Sequence, residues 1–82
     1  MTKYWRDQYP DLVSFLKGEV RSAVDLTGDV YYNALDRSFD EYGYEGLSVQ
    51  LLYVSNNLKP GHRLVSKQLV KWSKRIDKEQ GV

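Results

Sequence analysis

Apolar residues recur at helical spacing along most of this 82-residue chain, and that spacing constrains the fold more than any other feature. Steps of three and four residues place side chains on one face of an α-helix, whereas steps of two place them on one face of a strand. The N-terminal stripe therefore predicts an amphipathic helix with one buried face. Its members are Trp5, Tyr9, Leu12, Leu16, Val20 and Ala23, with Val13 and Val24 beside them.

Proline and turn residues set the limits of the first and last predicted helices. Because Pro10 has no amide hydrogen, we expect the first helix to begin near it, with residues 2–8 forming a separate short turn or a kinked extension. The strongest turn cluster precedes the last helix, which we expect to run from about His62 to Lys78. That cluster consists of Asn56, Asn57, Lys59, Pro60 and Gly61.

A second helix is predicted between two polar breaks. Thr27, Gly28 and Asp29 interrupt the apolar pattern, and the Asp29 carboxylate is placed to accept the first free amides of a helix from Val30 to Tyr42. Gly43 is a natural stop for this helix. In the segment from Tyr42 to Gly46, two glycines permit a tight corner between helices, across which we expect the aromatic residues to pack.

The segment from Gly46 to Leu58 has two interpretations. Leu47, Leu51, Val54 and Leu58 form a helical stripe, but the run LSVQLLYV also alternates like a strand. A strand would need a partner, and the other candidate, Val30 to Tyr32, is short. We therefore predict an all-α, single-domain bundle of three to four helices that spans residues 1–82. The alternative is an α+β domain with the order helix, strand, strand, helix.

The residue inventory argues against catalysis. The chain has no cysteine and one histidine, His62, which follows a Pro-Gly pair and is typical of a turn. The glycines form no phosphate-binding loop, so we expect no nucleotide cofactor. Asp36 and Asp40 have a spacing that could suit a divalent metal, but two carboxylates on a solvated helix are a weak signal, and we predict no metal site. The chain is predicted not to be an enzyme.

Charge is divided unevenly along the chain. Residues 58–82 carry seven Lys or Arg and two acids, whereas residues 1–57 carry five and nine. On a helical wheel of the last helix, Val65, Leu69, Trp72 and Ile76 fall in one apolar sector, and six cations cover a separate arc of roughly 120°. These six residues, the basic ladder, are the predicted partner-binding residues: Arg63, Lys67, Lys71, Lys74, Arg75 and Lys78.

The basic ladder has three readings. It is the solvated face of a terminal helix, or it binds an acidic surface of a protein partner, or it follows a nucleic-acid backbone. An acidic tract around Asp36, Asp40, Glu41 and Glu45, with Asp25 and Asp29 nearby, also makes head-to-tail self-association an alternative. A helix-turn-helix arrangement of the last two helices is disfavoured because the turn between them is long for that motif.

The expected function is stoichiometric binding of a protein partner. Seven tyrosines and two tryptophans are a large aromatic content for this length, so some should be exposed and available for contact. No apolar run approaches the roughly 20 residues of a membrane span, and the start of the chain lacks a secretory pattern, so we expect a cytoplasmic location. Small size, many tyrosines and no catalytic groups are shared by many phage or mobile-element accessory and inhibitor proteins.

Overall fold

The computed structural model describes residues 4–24 and 29–81, which form four helices and contain no strand. We label them α1 (Trp5–Gln8), α2 (Pro10–Phe15, Leu16–Val20 and Arg21–Ala23), α3 (Val30–Ser55) and α4 (Arg63–Gln80). The all-α bundle is thus confirmed, and the α+β alternative is wrong. In the described residues, extended pairing is limited to one isolated antiparallel bridge between Val24 and Leu58.

The N-terminal stripe forms α1 and α2, which meet at a break immediately before Pro10. Tyr9 is non-helical (φ −128°, ψ 67°), and Pro10 takes the first position of α2, where its missing amide hydrogen costs no hydrogen bond. The predicted start of the helix near Pro10 is confirmed, and residues 5–8 are the separate short turn. The stripe itself is buried, since Trp5, Leu12 and Leu16 have no exposed surface.

The middle of α2, Leu16–Val20, is a π-helical segment. A π-helical turn is wider than an α-helical one and is rare in proteins. Here the carbonyl oxygen of Leu16 accepts two hydrogen bonds, one from the amide of Arg21 and one of 2.8 Å from the buried hydroxyl of Tyr31. Tyr31 therefore ties α3 to the widened turn of α2, and its burial raises the pKa of its hydroxyl.

Replacing Tyr31 with Phe removes this hydroxyl and leaves the ring. We expect Tyr31→Phe to lower the free energy of unfolding by about 1 kcal/mol, because the Leu16 carbonyl keeps its bond from Arg21 and no group is left unpaired. Urea denaturation measures the difference. Tyr53→Phe is the control, since Tyr53 is 59% exposed and should change stability by less than about 0.5 kcal/mol. Equal effects of the two variants would contradict the assigned contact.

Helix α3 folds back on itself at Gly43. Gly43 has φ 67° and ψ −149°, outside the helical region, and a positive φ is accessible to glycine at little cost. Residues 30–42 and 44–55 therefore form an antiparallel helical hairpin in which the hydroxyl of Ser38 donates to the side-chain oxygen of Gln50 (3.2 Å). This confirms both the predicted stop at Gly43 and the corner between helices. Residues 46–55 are helical as predicted, but the helix ends at Ser55 and does not reach Leu58, which pairs with Val24 instead.

Helix α4 packs antiparallel to the second half of α3. A pair of buried serines marks the closest crossing, where the hydroxyls of Ser48 and Ser73 lie 2.7 Å apart and each also lies within hydrogen-bond distance of the other residue's carbonyl oxygen. Farther along, the hydroxyl of Ser66 donates to the carbonyl oxygen of Ser55 (3.3 Å). Two such pairs along one crossing describe an antiparallel hairpin, not the steep crossing of a helix-turn-helix motif.

Helix α3 begins at Val30, directly after Asp29, as predicted, but the side chain of Asp29 does not cap it. The predicted side-chain cap is wrong, because Asp29 makes no capping hydrogen bond and instead lies 3.5 Å from Arg21. Its backbone carbonyl still accepts the first helical bond, from the amide of Asn33 (2.9 Å). The Thr27 and Gly28 part of the predicted break, and Asp25 of the acidic tract, lie outside the described residues.

The core lies between α2, both halves of α3, and α4. Leu35, Leu47 and Leu51 of α3 meet Leu69 and Ile76 of α4, and all five have no exposed surface. Among the helices of the described residues, none has the length and apolar composition to cross a membrane.

Candidate functional site

The six side chains of the basic ladder lie on the outer face of α4. All six are exposed, and at about 100° per residue they occupy one side of the helix. The opposite side holds the helix in place, since Leu69 and Ile76 are fully buried and Val65 and Trp72 pack half-buried against the core. The helix runs slightly past the predicted end, to Gln80.

Most charges of the ladder have no partner within the described part of the chain. Arg75 forms an ion pair with Glu79 through Nε and a carboxylate oxygen 3.0 Å apart, and its guanidinium lies 4.7 Å from the ring centre of Trp72. The other five cations have no carboxylate within 4.0 Å among residues 4–24 and 29–81. The positive potential of this face is therefore left for an external group.

Leu64 is an apolar residue inside the basic ladder. It is 69% exposed, and its position on the wheel falls between those of Lys71 and Arg75. Only the charged residues of this face were predicted from the sequence, and Leu64 was not among them. The sequence does indicate that Leu64 is exposed, because its position on the helical wheel lies outside the apolar sector formed by Val65, Leu69 and Trp72.

Apolar surface also lies on the neighbouring part of α3. Val49, Leu52 and Tyr53 are 48%, 38% and 59% exposed. Positions i, i+3 and i+4 share a helix face. The serine pairs between α3 and α4 place Leu52 at the level of Leu69, whereas Tyr53 lines a separate pocket with Val30 and Tyr31. The exposed apolar surface of this part of α3 is therefore largely aliphatic, whereas the sequence predicted exposed aromatic residues.

A groove runs along the other flank of the ladder, between α2 and α4. Its volume is about 430 Å³, and it combines aromatic rings with charges of both signs. The α2 side contributes two acids, and the α4 side contributes two members of the basic ladder. The lining residues are Asp11, Phe15, Glu19, Gln68, Lys71, Trp72 and Arg75.

One residue of the acidic tract, Asp36, makes structural contacts, whereas the acids near Gly43 are exposed to solvent. Asp36 accepts hydrogen bonds from the Tyr4 hydroxyl (2.7 Å) and the Trp5 indole (2.9 Å), and it lies 3.2 Å from Arg6. Asp36 therefore holds the N-terminal helix to α3. Asp40, Glu41 and Glu45 are exposed around the corner at Gly43. In the described residues, no group of three or more His, Cys, Asp or Glu side chains is placed to hold a metal ion.

The tyrosines are mostly structural. Tyr9, Tyr31, Tyr32 and Tyr44 are buried, whereas Tyr42 and Tyr53 are 69% and 59% exposed. The expectation that a subset would be exposed is confirmed. At the corner, the rings of Phe39 and Tyr44 pack edge-to-face with centres 4.9 Å apart.

The end of α4 is held to the α1–α2 junction by Tyr9. Its hydroxyl donates to Glu79 (2.9 Å) and accepts a bond from the side-chain nitrogen of Gln80 (2.9 Å). Hydrogen bonds from Arg75 and then from Tyr9 lower the pKa of Glu79, and burial raises the pKa of Tyr9. The ionised Glu79 carboxylate thus orders the same helix end that carries Arg75.

This contact has a pH dependence of known sign. Because the pKa of Glu79 is lower in the folded than in the unfolded chain, its contribution to stability is present above the unfolded pKa and is lost as pH falls through the folded pKa. We expect wild type to lose more stability between neutral and acidic pH than Glu79→Gln. Urea denaturation at several pH values measures the difference, and identical pH profiles would contradict the contact.

The candidate site of this chain is therefore the exposed face of α4 with the groove beside it. Comparisons with protein-family models, with curated proteins and with solved structures found no match.

Proposed function

We propose that this protein acts by stoichiometric binding, without turnover, of a protein partner that presents an acidic surface with apolar side chains. The basic ladder and Leu64 form the centre of the contact. The single observation that carries the proposal is the position of Leu64, two-thirds exposed within a ladder of cations of which five have no ion pair among the described residues.

The charges supply attraction and orientation. Exposed cations that lack internal partners attract an acidic surface over distances of about 10 Å at moderate salt and exclude basic ones. Exposed ion pairs contribute little affinity individually, about 0–1 kcal/mol each. The ladder therefore favours one class of partner but does not by itself account for stable binding.

The apolar residues supply the remaining affinity and favour protein over nucleic acid. Leu64 within the ladder, and the exposed Val49 and Leu52 on α3, offer surface that gains about 25 cal/mol per Å² when covered. A phosphate backbone has no apolar group for these side chains. Exposed carboxylates at Asp40, Glu41 and Glu45 would also repel phosphate, which further disfavours a nucleic-acid role.

The scaffold allows the surface to be changed without unfolding the chain. Leu69, Ser73 and Ile76 are buried and hold α4 from its opposite face. Substitutions confined to the exposed ladder should therefore leave stability within about 0.5 kcal/mol.

Charge reversal at two ladder positions tests the proposal. Peptides are first selected from a random displayed library on the immobilised protein, and we expect acids interspersed with large apolar residues in the selected sequences. The variant Lys67→Glu with Lys71→Glu should weaken binding of these peptides at least about 100-fold, since like charges across an interface cost several kcal/mol. Binding is measured by calorimetric titration, and helicity by circular dichroism.

A matched variant separates site from net charge. Arg37→Glu with Lys59→Glu alters net charge by the same amount at exposed positions outside the ladder, and it should retain binding within a few fold. Equal losses in both variants would contradict the proposal, as would selected peptides without acids. If a duplex oligonucleotide binds instead, with affinity that falls steeply as salt rises, backbone binding is the function.

A further inference from the structure

We propose that the groove between α2 and α4 receives a tryptophan side chain of the protein partner. This inference rests on the proposed function, and it assigns the residue that anchors the partner beside the basic ladder. Lys71 and Arg75 belong both to the ladder and to the lining of the groove. An acidic segment paired with the ladder therefore brings its neighbouring residue to the groove.

The groove offers aromatic surface for ring stacking. Phe15 and Trp72 both line it and are half-buried. Trp72 is fixed in orientation, because Tyr9 packs edge-to-face against it at 6.0 Å and Arg75 lies over its ring at 4.7 Å. An incoming ring can pack at little entropic cost against Phe15 and the part of the fixed Trp72 ring that Arg75 leaves uncovered.

The charges on the two sides of the groove favour a neutral aromatic group. Asp11 and Glu19 lie on the α2 side, opposite Lys71 and Arg75 on the α4 side. An aromatic ring carries negative potential on its faces and positive potential at its edge, so it interacts favourably with both sides. A cationic or anionic side chain would be repelled by one side, and an aliphatic one would gain from neither.

Gln68 favours a ring that bears a hydrogen-bond donor. It lines the groove, and its side-chain carbonyl oxygen is buried with no hydrogen-bond partner in the described residues. A covered acceptor without a donor is unfavourable. Rotation about the side-chain bonds of Gln68 would present this oxygen to an indole N–H. Tryptophan combines that donor with the largest aromatic surface of any residue, and a volume of about 430 Å³ accommodates it.

The test uses N-acetyl-tryptophanamide as the probe and the unmodified protein as the receptor. NMR titration should show saturable shifts at Phe15, Gln68 and Trp72. The 1-methylindole analogue of the probe, which has no donor, should bind about fivefold more weakly, and N-acetyl-leucinamide should cause no saturable shift. Equal binding of the two indole probes, or absence of a saturable shift with the first, would overturn the proposal.

Gln68→Leu is the matched variant, because it removes the unpaired oxygen and keeps the side-chain size. In this variant the two indole probes should bind equally. In the selected peptides, a tryptophan should follow or precede the acids, and its replacement by leucine should weaken binding at least about tenfold. Selected peptides without an aromatic residue would overturn the assignment of the anchor.

A second variant separates this inference from the proposed function. Lys67→Glu with Lys74→Glu lies outside the groove lining, so it should leave binding of N-acetyl-tryptophanamide unchanged while weakening binding of the acidic peptides. If the acidic peptides bind but N-acetyl-tryptophanamide does not, the inference about the groove is wrong and the proposed function is not affected. Probe binding in the absence of any selected acidic peptide would contradict the proposed function.

Discussion

Gly46→Ala should destabilise the chain by more than about 3 kcal/mol, which is a large part of the 5–15 kcal/mol that holds a typical small domain together. An added Cβ at this position would overlap the carbonyl oxygen of Ser38 and lie 2.7 Å from the Cβ of Tyr42. Ser38 contributes a backbone atom, so the overlap is relieved only if the two halves of α3 separate. Thermal and urea denaturation measure the loss.

Gly18→Ala provides the control for Gly46→Ala. Gly18 is exposed in α2, has a negative φ, and would place its Cβ more than 4 Å from any heavy atom beyond its chain neighbours and its own helix backbone. Alanine there should be neutral or stabilise the chain by about 0.5–1 kcal/mol, because glycine loses more backbone freedom on folding. If the two variants had similar stability, the close approach within the α3 hairpin would be wrong.

Asp36→Ala should cost about 2–4 kcal/mol, the second large effect. The substitution leaves the indole N–H of Trp5 without its acceptor, and this ring has no exposed surface. It also removes a bond from Tyr4 and the ion pair with Arg6. An unpaired buried donor costs about 1–3 kcal/mol, and hydrogen bonds to a charged group contribute about 1.5–3 kcal/mol.

The matching measurement is the midpoint of thermal unfolding, which should fall by about 10 °C or more for Asp36→Ala in a domain of this size. Asp40→Ala, at an exposed position of the same helix, should leave it nearly unchanged. A small effect of Asp36→Ala would mean that the contacts of α1 with α3 contribute little to the stability of the fold.

Sequence periodicity predicted the helices well because each helix buries one face against the others. Leu12, Leu16 and Leu69 all lie where their spacing placed them. Turn chemistry predicted the corner at Gly43, since the backbone there needs a positive φ. The need for a glycine at position 46 was not predictable from the sequence, because the close approach of Ser38 depends on how the two halves of α3 cross.

The failures concern side chains whose partners are distant in sequence. Asp29 has the residue type of a helix cap but turns to Arg21, and no local pattern reveals that competition. The Leu16 carbonyl at the π-helical turn of α2 accepts from Tyr31, which comes from another helix, and no local pattern predicts that contact. At the candidate site, the charge pattern alone predicted the basic ladder. The groove beside the ladder was not predictable, because it depends on how α2 packs against α4, and periodicity does not specify that packing.

The measurement that tests the central claim most directly compares a selected acidic peptide with a random duplex oligonucleotide, each titrated calorimetrically against the unmodified protein and against Leu64→Ala. Titrations at about 50 and 200 mM salt separate charge from apolar contact. We predict tighter binding of the peptide, a loss of about tenfold or less over this range of salt, and a further loss of about fivefold or more in Leu64→Ala. The account would be contradicted by tighter binding of the duplex that is unaffected by Leu64→Ala. Such binding should weaken about 10³-fold over the same range of salt, as expected for six phosphate contacts.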